Sequence, residues 1–114
     1  MKWRIVMIQN SELMKGVAPA IILKLLSGKA MYGYEIIRKI NELTNGEFQW
    51  KEGALYPCLH KMENSGLLKS EWKIVSGKPR KYYALTGTGK AQVAEKVNES
   101  RTFCTALNLL LGFK

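Results

Sequence analysis

Histidine occurs once in these 114 residues, cysteine twice and proline three times, and nine acidic residues face eighteen lysines and arginines. Each scarcity excludes something. The one histidine, His60, and the widely separated Cys58 and Cys104 have no metal-ligand spacing, so no metal site is expected. Two distant cysteines do not make the disulfide framework of a small secreted domain, and free thiols in a reducing compartment are the simpler account. No apolar run approaches the ~20 residues that span a bilayer. The best candidate, Val17 to Leu26, contains Pro19 and Lys24. The first ten residues carry an apolar run too short for a signal peptide and no small-residue cleavage site. A cytoplasmic protein without membrane partners is expected. A serine–histidine–acid set is missing, as is a pair of isolated carboxylates in apolar surroundings, so no catalytic residue and no cofactor is assigned. Gly87-Thr88-Gly89-Lys90 looks like half a phosphate loop, but the upstream glycine spacing and strand-to-helix context are wrong.

What the chain has is positive charge. A net +9 with a hydrophobic fraction of 46% describes one basic domain with a modest core. Such a charge favours polyanions: DNA, RNA or an anionic membrane surface. The bland alternative is a merely solubilising surface.

The pattern of elements is mostly helical with one hairpin. Ser11 is placed to cap a first helix, which Pro19 either kinks or begins; Ile21, Ile22, Leu25 and Leu26 form its apolar stripe and Ser27-Gly28 ends it. A second helix is expected from about Tyr34 to Thr44, with Ile36, Ile37, Ile40 and Leu43 inward, closed by Asn45-Gly46. Residues 47–52 read as a very short strand or an ordered loop. A third helix is expected from near Ala54, with Pro57 in its first turn and Leu55, Leu59 and Met62 inward. Residues 68–75 and 81–86 have strand composition, and Ser76 to Lys81 read as the basic tip between them. Thr86 or Thr88 caps a last helix to about Leu111, along which Val93, Val97, Cys104, Leu107 and Leu111 trace a heptad-like line. One small domain has little left to cover that line, so it is expected to meet a second copy; packing back onto the domain is the alternative.

Residues 53–85 carry the functional signal: a short amphipathic helix, a strand, a cationic turn and a second strand. The helix suits a major groove, and the tip can reach neighbouring phosphates or the minor groove.

The order of these elements, and four local motifs, resemble the PadR family of bacterial transcriptional regulators. Met31-Tyr32-Gly33-Tyr34-Glu35-Ile36 looks like the start of that family's second helix, and Glu52-Gly53-Ala54-Leu55-Tyr56-Pro57 like the opening of its recognition helix. Glu63-Asn64-Ser65-Gly66-Leu67-Leu68 is similar to the helix exit, and Gly77-Lys78-Pro79-Arg80-Lys81-Tyr82-Tyr83, with Leu85-Thr86 and Gly89, to its wing and entry to the dimer helix. Together they cover about residues 12–111. The resemblance implies an α+β winged helix-turn-helix, read here as one domain over 1–114: a DNA-binding part at 12–86 and a dimerisation helix at 87–111. It also implies a homodimer on a palindromic operator, typically a repressor. Two departures matter. Ala54 stands where the family usually has a serine or threonine, which removes one hydroxyl; Lys78 stands where arginine is common, which replaces a fork by a point charge. Some small members bind flat cationic drugs between aromatic side chains at the dimer interface. Their stacking tryptophan aligns with Ser100 here, so that function is not carried over by match.

Within that frame Tyr34, Tyr56 and Lys61 are expected at phosphates or the groove, and Ala54, Pro57 and His60 facing the bases. Lys78, Arg80 and Lys81 are the wing's cations. The competing readings are a half-buried core ring for Tyr34, a plain surface residue for His60 and a solvated turn for the lysines and arginine. Trp72 is expected under the wing and Trp50 capping the core. Trp3 and Phe103 are candidate contacts for a small planar aromatic effector, Phe103 being read first as a core residue. Two further functions stay open: a winged-helix adaptor for an acidic protein partner, and a small-molecule sensor with an aromatic pocket at the dimer interface.

Overall fold

The computed structural model describes residues 12–113. Trp3 and the Ser11 cap therefore lie outside the described residues. The elements are α1 (Glu12–Leu26), β1 (Met31–Tyr32), α2 (Gly33–Leu43), α3 (Glu52–Asn64), β2 (Leu68–Val75), β3 (Lys78–Leu85) and α4 (Gly87–Leu111). The strands form an antiparallel sheet in the order β1-β3-β2. The fold is an α+β winged helix-turn-helix.

The core forms where the apolar stripes of α1, α2 and α3 meet one face of the sheet. Ile22, Leu23, Ile36, Leu55, Leu59 and Tyr83 are its most enclosed side chains. Trp50 closes one end, buried, its indole Nε1 2.9 Å from the Met14 sulfur. Leu43 departs from the expected inward stripe: it sits in the last turn of α2, past the reach of the core, and is exposed.

Turn chemistry places the elements. Asn45 and Gly46 both adopt positive φ after α2, which the glycine does without steric cost. Thr86 ties the hairpin to the last helix. Its hydroxyl donates to the Gly66 carbonyl at 2.6 Å and accepts the Gly89 amide at 3.0 Å, while its own amide donates to Leu67 O.

Three boundaries differ from the sequence reading. The motif Met31-Tyr32 is a strand paired to Tyr83 and Tyr82, so the sheet has a third member and α2 begins one residue earlier, at Gly33. α3 begins at Glu52, so Pro57 lies in the second turn rather than the first. Pro19 likewise sits inside a continuous α1. The proline ring deprives the carbonyl four residues earlier of its donor, a cost the surrounding packing outweighs. The third difference is the wing. Its turn consists of Ser76 and Gly77 alone, both at positive φ, the geometry of a two-residue hairpin turn. Lys78, Pro79, Arg80 and Lys81 are strand residues paired with Val75, Ile74, Lys73 and Trp72.

Candidate nucleic-acid interface

The period of α3 sorts its side chains. Leu55, Leu59 and Met62 are buried. Directly opposite them Gly53, Pro57, His60, Lys61 and Asn64 are all exposed. The two flanks are half-buried and do different work. Tyr56 leans toward the sheet, its ring beside Gly33 and 6.4 Å from the His60 ring. Burial, then the charges of Glu52 and Tyr83, hold its phenol above the ordinary value of 10.0, so it stays a neutral hydrogen-bonding tip at physiological pH. Ala54 leans the other way, into a groove between α1, α3 and α4. Of the residues expected to face a groove of DNA, Pro57, His60 and Lys61 therefore share one open surface, and Tyr56 and Ala54 border it.

Register decides which way each wing residue points. Leu68, Ser70, Trp72 and Ile74 pair with Leu85, Tyr83, Lys81 and Pro79, and these alternate positions make the face turned to the helices. Ser70 confirms the direction by donating to Glu63 of α3 at 2.6 Å, which also occupies that carboxylate. Lys81 lies on this face with its ammonium 5.6 Å from the Tyr83 ring centroid. Lys78 and Arg80 belong to the opposite face, with Lys73 and Tyr82.

On that opposite face the structure assembles something the sequence reading missed. The Arg80 guanidinium lies 4.3 Å from the Tyr32 ring centroid and Lys73 lies 5.0 Å from that of Tyr82. The two rings meet edge to face at 5.5 Å. Arg38 of α2 reaches the Tyr32 hydroxyl at 3.5 Å and lies 6.0 Å from the Tyr34 ring. Cations held on aromatic faces are attracted by the ring and lose conformational freedom. The signal was present as alternation along β3, but it needed the pairing of residue 73 with 80 and of 32 with 82. Tyr34 is exposed, not a half-buried core ring.

Trp72 does not pack under the wing. It is 67% exposed, and Ile74 beside it 73%. Both extend past the last core residues of the sheet, so no helix lies beneath them.

α4 splits into two parts. Val93 packs against the core, and Val97 and Leu107 are half-buried. Cys104 and Leu111 are exposed, as are Leu109, Leu110 and Phe113. Phe103, read first as a core residue, is also exposed, because the second half of α4 runs beyond the body of the domain. Beside the first half lies the groove, about 870 Å³, floored by Met14, Trp50, Cys58 and Met62 and edged by Lys15, Lys61 and Lys96. Among the described residues no metal-binding cluster occurs, and no helix is long and apolar enough to cross a membrane.

Comparison with known proteins agrees with the fold. Residues 22–95 match the family model described as the transcriptional regulator PadR-like family. An uncharacterised protein of Lysinibacillus sphaericus is 40% identical over 91 residues, 79% of this chain and 84% of that one. A transcriptional regulator of Clostridium thermocellum has a similar structure, with TM-score 0.78 and 32% identity over 86% of this chain and 96% of the other. A PadR-like regulator of Bacillus cereus gives TM-score 0.74 and 33% identity, covering 91% and 100%.

Proposed function

Because the chain belongs to the PadR-like family of transcriptional regulators, we propose that it is a homodimeric, sequence-specific repressor that reads a palindromic operator. DNA binding is the family's role, and its members are regulators, not enzymes. The observation that carries the specific reading is the face of α3 with no part in the core. Pro57, His60 and Lys61 lie open, and the ribbon that follows α3 bears Lys81 on the face turned to the helices and Lys73, Lys78 and Arg80 on the other. Pro57 offers apolar contact to a thymine methyl and His60 a hydrogen bond to a base edge, whereas Ala54, expected to face the bases, leans into the groove between α1, α3 and α4. Tyr34, Tyr56, Lys61 and the wing cations bind phosphates and fix register.

The dimer rests on α4. Its line of Val93, Val97, Cys104, Leu107 and Leu111 continues past the domain, and the exposed leucines beside it need a cover. The groove between α1, α3 and α4 is apolar at its floor and is the surface a partner's α4 would enter. Two-fold symmetry then sets two reading helices about one DNA turn, ~34 Å, apart or at a multiple of it. An effector-responsive form of the regulator would draw on the same groove. Its three lysines disfavour a cation, so an effector seated there is neutral or anionic, unlike the planar cations of the small drug-binding members; Phe103 and Ser100 supply no stacking pair within the groove.

Selection of duplexes from a random-sequence pool, followed by footprinting, tests the reading. Two inverted half-sites protected by one dimer are expected. A single unpaired half-site at saturating protein would overturn the dimer, and recovery of no preferred sequence at physiological salt would favour the acidic-partner adaptor instead.

A further inference from the structure

The wing carries an apolar surface that phosphate binding does not use. Ile74 and Pro79 are directly opposite one another, one pair in from the two-residue turn, and Trp72 follows opposite Lys81. Ile74 and Trp72 are 73% and 67% exposed, on the sheet face turned toward α3. A two-residue turn with Gly77 at positive φ holds such a hairpin without apolar help at the tip. The surroundings say what this surface fits. Across β2 and β3 the charged residues are Lys69, Lys73, Lys78, Arg80 and Lys81 against the single acid Glu71. Lys81 shares the apolar face, and the other four cations stand on the reverse face of the same narrow ribbon, a charge balance that suits sugar and base edges between two rows of phosphates better than the charge-depleted centre of a protein interface.

We propose that Ile74 and Pro79 form a wedge that enters the minor groove beside the α3 site, partly unstacks a base step and bends the DNA, with Trp72 packed on the sugar edge. The proposal rests on the DNA-binding reading above. Isoleucine and proline are side chains that minor-groove proteins insert between base steps, with bends of about 20–90° toward the major groove. Flexible pyrimidine–purine steps unstack most readily, so a TA or CA step is expected under the wing at a position the α3 side chains do not touch.

The test uses the full chain and a duplex recovered from the random pool. Bending is read by energy transfer between dyes at the duplex ends, and affinity by titration. Wild type is expected to bend the duplex. Ile74→Ser, at an exposed position that tolerates the change, is expected to bind on the order of tenfold more weakly and with a smaller bend; Ile74→Leu is expected to restore both. In a Trp3→Phe background, Trp50 being buried, Trp72 emission is expected to become shielded from acrylamide when DNA is added. A straight duplex in the wild-type complex, an Ile74→Ser variant with unchanged bend and affinity, or a Trp72 still open to acrylamide at saturation overturns the wedge and leaves the regulator reading intact. Failure to recover any duplex removes that reading, and the wedge with it.

Discussion

The ring of Tyr56 fills the space that a side chain at Gly33 would need. A Cβ placed on Gly33 would come within 2.6 Å of the Tyr56 Cζ and 2.8 Å of its Cε1, closer than such atoms ever pack. The first residue of α2 and the second turn of α3 are thereby held at one separation. Gly33 has no positive φ, so the obstacle is steric and lies entirely in Tyr56.

Gly33→Ala is therefore expected to destabilise the fold by about 1–3 kcal/mol, the range for overpacking a filled site. Adding Tyr56→Leu should recover part of that loss, because the far end of a side chain is what blocks the methyl. Urea unfolding of the four variants of the cycle measures the coupling; additive effects would show that the two residues do not meet.

Gly89 is the harder case. It is buried, and its added Cβ would press on the Leu67 carbonyl, with Leu67 C at 3.2 Å, where the obstacle is backbone and cannot swing away. Gly89→Ala is expected to cost at least about 2–3 kcal/mol and to loosen α4 from the hairpin. Gly53→Ala, with nothing within 4 Å, is expected to stabilise α3 by about 0.5 kcal/mol. Thermal melts of the two variants should move in opposite directions.

Lys78 and Arg80 are expected to separate in stability assays while acting alike on DNA. Each alanine variant should flatten the salt dependence of binding by about 0.9 for every phosphate it no longer neutralises. Arg80→Ala should in addition cost about 0.5–1 kcal/mol, because its guanidinium lies 4.3 Å from the Tyr32 ring centroid. Lys78 is exposed and, among the described residues, sits over no aromatic ring, so Lys78→Ala should leave the melt unchanged.

A charge in the overhanging half of α4 is expected to prevent self-association without unfolding the domain. Leu111→Asp sits at an exposed position, so the chain should keep its far-UV circular dichroism and sediment as a monomer. An unchanged dimer would place the interface elsewhere.

Alkaline pH should destabilise the protein through Tyr83. It is 1% exposed, and burial, then the charge of Glu63, raise its phenol above 10.0. The fold favours the neutral phenol, so this contribution is complete below the unfolded value and is lost as pH rises through the higher folded one. Tyr83→Phe should flatten the alkaline arm of a urea midpoint curve; Tyr56, shifted in the same direction, will keep some slope.

Local sequence determined more here than long-range packing did. The stripe Leu55, Leu59, Met62 announced the buried side of α3 and, by exclusion, its open side, because a helix repeats every 3.6 residues whatever it packs against. Net charge +9 and the run from Lys78 to Lys81 announced an anionic partner, since charge adds up without a fold. Tertiary structure alone decided direction. Trp72 reads as packed under the wing until the sheet is found to outrun the helices, and Phe103 reads as a core residue until α4 is found to leave the domain. Arg80 reads as one cation among several until β1 brings Tyr32 beneath it. Register across strands and the point at which one element runs past another depend on contacts between residues distant in the chain, which local periodicity does not encode.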